Sequence, residues 1–228
     1  MSISRISDTV KAQKDFFRSG KTRHNDFRLY QLKQLKRMIT RNEDLIQEAL
    51  RKDLNKSAPE AYLTEIREVR REIRYAAGNL KKWTTPKRVA TPLLLKPGSS
   101  YIRPEPLGVA LIISPWNYPF SLLFMPLVGA IAAGNCAVLK PSSMASATSA
   151  VIADLVPEYF PPEFISVVKG SSGETTALLE EPFDHIFFTG SEKVGKIVMT
   201  AAAKQLTPVT LEMGGKSPCI ADSSVDLK

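Results

Sequence analysis

Two cysteines in 228 residues, Cys136 and Cys219, are too few for a disulfide framework. Their scarcity leads us to expect a reducing, cytoplasmic setting. No apolar run reaches the roughly 20 residues needed to cross a bilayer, so no membrane segment is expected. The opening stretch MSISRISDTVKAQKDFF lacks an uninterrupted apolar core, which argues against a secretory leader. Internal repeats and low-complexity segments are missing, and no block of five like charges occurs. That last absence weakens a nucleic-acid reading of the net charge of +8. Residues 1–104 hold 24 Lys and Arg against 11 Asp and Glu, a balance of +13, whereas residues 105–228 balance to −5. Acids such as Glu60, Glu65, Glu68 and Glu72 interleave with the bases, as on solvated helix faces. Neither a nucleic-acid partner nor a metal site is expected.

At 43% hydrophobic residues the chain can bury a full core. Residues 1–85 read as helices. Apolar positions mark a first near Ser7–Arg18, ended by Gly20, and a second after Asn25. Asn42 is placed to cap a third. Ser57 and Glu60 spell a capping box ahead of a stripe containing Leu63, Ile66, Val69, Ile73, Ala77 and Leu80. Residues 86–106 contain a Pro-Gly turn between two short runs, Leu93–Leu95 and Tyr101–Arg103. This reads as a protruding β-hairpin suited to pairing with another subunit, or as a plain linker. Residues 107–228 alternate strand and helix with near-continuous apolar strands. The fold class is therefore α/β, with a Rossmann-like parallel sheet covered on both faces, ending in a strand over Pro218–Ala221.

The chemistry concentrates in Asp184–Pro218. An apolar strand stops at Gly190, passes through Ser191, Glu192, Lys193 and Val194 to Gly195, and opens a helix; the next strand ends on Glu212. Strand, glycine-framed turn and helix form a phosphate-binding layout, with backbone N–H groups facing the anion. The turn fails as a P-loop because Ile197 lacks the hydroxyl that holds magnesium. It fails as a Rossmann fingerprint because Glu192 replaces the second glycine. Other strand ends add polar groups. Val109–Ile113 runs into Trp116-Asn117-Tyr118, where Asn117 is able to donate to an oxyanion or merely to cap the following helix. Ala137–Leu139 runs into Lys140, a cation for a ribose or phosphate, or a snorkelling surface lysine. Polar groups at strand C-termini mark the usual ligand crevice of open α/β sheets.

These motifs, PWNYPF, GAIAAGNCAVLKPS, FTGSEKVGK and PVTLEMGGKSP, resemble the aldehyde dehydrogenases, and MTAAAKQLTPVTLE resembles the class 3 or fatty-aldehyde branch. The resemblance implies a NAD- or NADP-binding domain, a hairpin used in dimerisation to a homodimer, and oxidation of an aldehyde to a carboxylate. It assigns Asn117 to the oxyanion and Glu212 to the general base that activates water. It assigns Lys140 to the adenosine ribose and Gly190–Gly195 to the pyrophosphate, with Trp116 and Ser143 also among the cofactor contacts.

Two departures stand out. In the family the nucleophilic cysteine follows the general base on a separate catalytic domain. Here Cys219 lies in the strand region after GGKSP and reads, like Cys136, as a small buried hydrophobe. The nucleophile and the catalytic domain are thus expected to be absent from a truncated chain that is inactive by itself. The alternative is a non-catalytic nucleotide-binding or assembly module. The second departure is Ser143, where the family often has Glu. A neutral residue there removes repulsion of a 2′-phosphate and predicts that NADP is tolerated alongside NAD.

Overall fold

The structure, a computed structural model, describes residues 5–215 and 217–225. Lys216, within the GGKSP motif, lies outside the described residues. Helices α1 (Ile6–Arg18), α2 (Asn25–Arg41) and α3 (Glu43–Leu54) come first. Gly20 ends the first at φ 78°, a left-handed conformation that suits a residue without Cβ. Asn42 does not cap α3. Its side-chain amide instead donates back to the Met38 carbonyl and to Tyr159 Oη, so the expected cap is replaced by a tie between helices. Ser57 does cap the short helix α4 (Ala58–Ala61), accepting from the Glu60 N–H at 3.4 Å. A π-helical turn, Tyr62–Ile66, leads into α5 (Arg67–Thr84). Ile66, Val69, Ile73 and Leu80 of the expected stripe are buried, whereas Leu63 is exposed because the wider π turn shifts the helical phase.

The hairpin exists with one strand near the expected Tyr101–Arg103 run and the other at a different place. β1 (Lys87–Val89) pairs antiparallel with β2 (Ser100–Ile102). Leu93–Leu95, expected to be extended, forms a 3₁₀ turn, with N–H groups of Leu95 and Lys96 bonding three residues back to Pro92 and Leu93. Local i to i+3 bonding beats pairing here because the run lies between the strands, not opposite one.

The main sheet is parallel, in the order β5 (Ile165–Val167), β4 (Cys136–Lys140), β3 (Val109–Ile113), β6 (His185–Gly190), β7 (Val209–Met213). Every residue of β3 and β4 is buried, which explains their uninterrupted apolar sequences. The chain steps outward from β3 through α6 (Ser121–Ala133) to β4 and through α7 (Ser146–Tyr159) to β5. It then returns through α8 (Ser172–Leu179) to β6 and continues through α9 (Glu192–Ala203) to β7. Right-handed crossovers taken in opposite directions put α6 and α7 on one face and α8 and α9 on the other. The direction changes between β3 and β6, and a crevice opens above their C-terminal ends at such a switch point. The expected strand Pro218–Ala221 does not form. The segment pairs with no strand among the described residues, and Cys219 is exposed rather than buried.

Candidate functional site

A cleft of about 1130 Å³ occupies the switch point. Trp116 and Asn117 after β3, Lys140 at the end of β4 and Ser143 beyond it, Gly190 at the end of β6 with Ser191 and Val194 beyond it, and Glu212 near the end of β7 all line it. The sequence-predicted set is thereby brought together, with three exceptions. Glu192 and Lys193 are exposed but do not line the cleft, and Glu192 pairs with Lys196 at 2.6 Å. Gly195 is buried beneath the turn. A Cβ there would come within 2.7 Å of Met213 Sδ at the end of a flexible side chain, so α9 lies close to β7 at this point.

Ser191 is the N-cap of α9, its hydroxyl accepting from the Val194 N–H at 3.4 Å. The first turn of that helix therefore presents its remaining N–H groups at the switch point, the geometry of an anion site. Lys140 is buried at 4% exposure, which overturns the snorkelling alternative. Its Nζ donates to the carbonyls of Gly170 at 2.8 Å and Pro141 at 3.1 Å. A third N–H remains without a partner among the described residues. Burial lowers the Lys140 pKa, and the Glu174 carboxylate opposes that shift. Glu174 itself is held below the usual carboxylate range by N–H groups of α8's first turn, as the reciprocal half of a capping box with Ser171. Gly170 at φ 142° is required beside it, since a Cβ would meet the Glu174 carboxylate at 2.3 Å.

Asn117 does not cap α6, whose first-turn N–H groups are taken by Glu65 from a distant part of the chain. Its side chain is exposed in the cleft and has no partner among the described residues. Among the polar groups missed from sequence are Ser114 Oγ and Thr189 Oγ1, buried at the cleft without a partner among the described residues, and Ser171, which lines it. Only Ser171 carried a signal, the Ser-x-x-Glu spacing to Glu174. Thr189 pairs in register with Glu212. Orphaned hydroxyls, a buried ammonium with a spare donor and a helix N-terminus suit a ligand carrying sugar hydroxyls and phosphates. The donor set fits a dinucleotide.

The aldehyde dehydrogenase family model matches residues 3–228. The chain belongs to the aldehyde dehydrogenase family. It is 50% identical over 218 residues to aldehyde dehydrogenase family 3 member B2 of Mus musculus, covering 96% of this chain and 46% of that relative. It is 49% identical over 225 residues to the dimeric NADP-preferring aldehyde dehydrogenase of Rattus norvegicus, covering 99% of this chain and 50% of the relative. The solved Staphylococcus aureus AldH in its substrate-bound state superposes with a TM-score of 0.91 at 50% identity, over 96% of this chain and 48% of that one. The chain thus spans about half the length of these aldehyde dehydrogenases. The fold is that of their cofactor-binding domain, and the family uses NAD or NADP.

Proposed function

We propose that this chain provides the NAD(P) site, oxyanion donor and general base of an aldehyde dehydrogenase that converts an aldehyde to a carboxylate. The observation that carries the reading is the convergence of Asn117, Lys140, Ser191 and Glu212 on one cleft, at the switch point of a chain in this family. Lys140 would hold the adenosine ribose and the α9 N-terminus the pyrophosphate, with Trp116 and Ser143 along the same wall. The dinucleotide, when bound, supplies the acceptor for the two electrons that leave the aldehyde carbon. Asn117 donates its amide N–H to the oxygen of the tetrahedral adduct, where negative charge develops. Glu212 accepts a proton from the water that hydrolyses the acyl intermediate.

The nucleophile is assigned outside these 228 residues. Neither cysteine lines the cleft, and burial pushes the Cys136 thiol up to about 12, far from a reactive thiolate. Titrating the purified chain with NAD and NADP, followed by calorimetry, tests the cofactor site. Saturable binding that weakens at least tenfold in Lys140→Met is expected, and no heat with either dinucleotide at millimolar concentration would overturn it. Incubation with a fatty or aromatic aldehyde and NAD is expected to yield no NADH. Measurable turnover would place the nucleophile within the chain.

A further inference from the structure

The loop from Ser114 to Pro119 carries Asn117, but little within the loop fixes it: two prolines, two aromatics and no strand pairing beyond Ser114. Its anchor comes from the helical half of the chain. Glu65, in the π-helical turn, is fully buried, and the Lys56 side chain beside it is 8% exposed. Glu65 Oε1 accepts from Lys56 Nζ at 2.6 Å, while Oε2 accepts from the backbone N–H groups of Phe120 at 2.9 Å and Ser121 at 3.1 Å. Lys56 Nζ also donates to the backbone carbonyl of Asn117 at 3.2 Å and lies 4.0 Å from the centre of the Tyr118 ring. The remaining partners of this ion pair are therefore residues 117, 118, 120 and 121, the loop and the helix start it feeds.

An ion pair taken out of water adds little to stability over an apolar pair of equal volume, but it tolerates little displacement of its partners. Such a pair is suited to fixing geometry. We propose that Lys56 and Glu65 are positioning residues, a buried ionic clamp that fixes the backbone at Asn117 so that its side-chain amide faces the cleft. The proposal deepens the dehydrogenase reading and rests on it for the role of Asn117. Glu65 also neutralises the first-turn N–H groups of α6, which frees Asn117 from the capping role that its sequence position invites.

The test uses the two tryptophans, Trp116 inside the loop and Trp83 packed on Tyr75 near the end of α5. Trp83 lies roughly 25 Å along the helix from Glu65 at 1.5 Å per residue. In ¹⁵N-labelled protein without cofactor, Glu65→Gln keeps an oxygen for the two N–H groups but removes the charge that holds Lys56. The Trp116 indole signal and the Asn117 side-chain signals, assigned against Asn117→Ser, are expected to shift or broaden while Trp83 stays in place. Lys56→Met is expected to do the same. Should a single variant lose the fold, Lys56→Met with Glu65→Gln leaves no unpaired ion and carries the same readout. Unmoved loop signals in a folded double variant would overturn the clamp. In the unmodified chain, the Phe120 and Ser121 amide hydrogens are expected to exchange as slowly as those inside α6, and exchange at exposed-loop rates would also overturn it. A chain that fails to bind cofactor removes the dehydrogenase reading and leaves these loop signals interpretable.

Discussion

A thiol at the first position of β4 and a thiol in the segment after β7 meet opposite surroundings. Cys136 is buried and its N–H bonds to the Gly108 carbonyl, whereas Cys219 is exposed. A disulfide-exchange reagent at neutral pH should therefore modify one thiol per chain quickly and the second only on denaturation; two fast thiols would contradict the buried site. Burial, with Asp184 and Glu163 adding repulsion, lifts the Cys136 pKa to about 12. The unfolded thiol ionises near pH ~8.5. This group's contribution is thus fully present below that pH and is lost as pH rises towards 12, because the unfolded chain gives up its proton first. Stability should fall with rising pH above about 8.5, more shallowly in Cys136→Ala, as read by urea unfolding at each pH. Ser143 is exposed on the cleft wall, and it is uncharged. NADP is accordingly expected to bind within tenfold of NAD, and Ser143→Glu to weaken NADP selectively; a hundredfold preference for NAD in the unmodified chain would refute this. At this scale, residue types were legible where a strand end dictated them, as at Glu212 and Asn117. Burial was not: nothing local to Lys140 says that Gly170, thirty positions later, supplies its acceptor.

Helix starts show the same division between near and far. For α8 and α9 the capping groups are local, Ser171 with Glu174 and Ser191, so their spacing was available in the sequence. For α6 and α7 they are remote. Asp53, one residue before the end of α3, accepts from the N–H groups of Ala147 at 3.0 Å and Thr148 at 2.7 Å, and so caps α7 from 94 positions away. Asn42 and Asn117 hold positions where a capping side chain is expected, yet neither side chain caps, and at α6 Glu65 takes the role. A remote cap joins two elements, so its removal loosens a helix pair as well as a helix end. Asp53→Ala should cost about 1 kcal/mol by denaturant titration, the usual loss for a capping side chain. Asp53→Asn, which keeps one acceptor oxygen, should cost less. An unchanged midpoint in Asp53→Ala would show that water takes over the two N–H groups without loss.

For the whole molecule, strand and helix alternation announces a parallel sheet, but the order β5-β4-β3-β6-β7, which creates the switch point, is set by which apolar faces meet and has no local mark. The hairpin shows the converse. Its proline-rich composition set it apart, while its pairing, Lys87 opposite Ile102, was hidden by the more apolar Leu93–Leu95. Those leucines are exposed at 80%, 97% and 64%, and Tyr101 and Ile102 at 59% and 61%. Five large apolar side chains on one two-stranded excursion form a patch of the kind that marks an interface. One 49% identical relative is named as dimeric. Among the described residues the two strands pair only with each other, which leaves both outer edges open to strand addition. A symmetric pairing would bury the same residues on both copies, so each substitution acts twice in the dimer. The chain is expected to sediment as a dimer at micromolar concentration. Leu94→Lys with Ile102→Lys should shift it to monomer, with the far-ultraviolet circular dichroism of the sheet and helices retained, because neither side chain contributes to the core. A monomeric parent chain would remove the dimer itself, whereas a dimeric double variant would move the interface elsewhere on the surface.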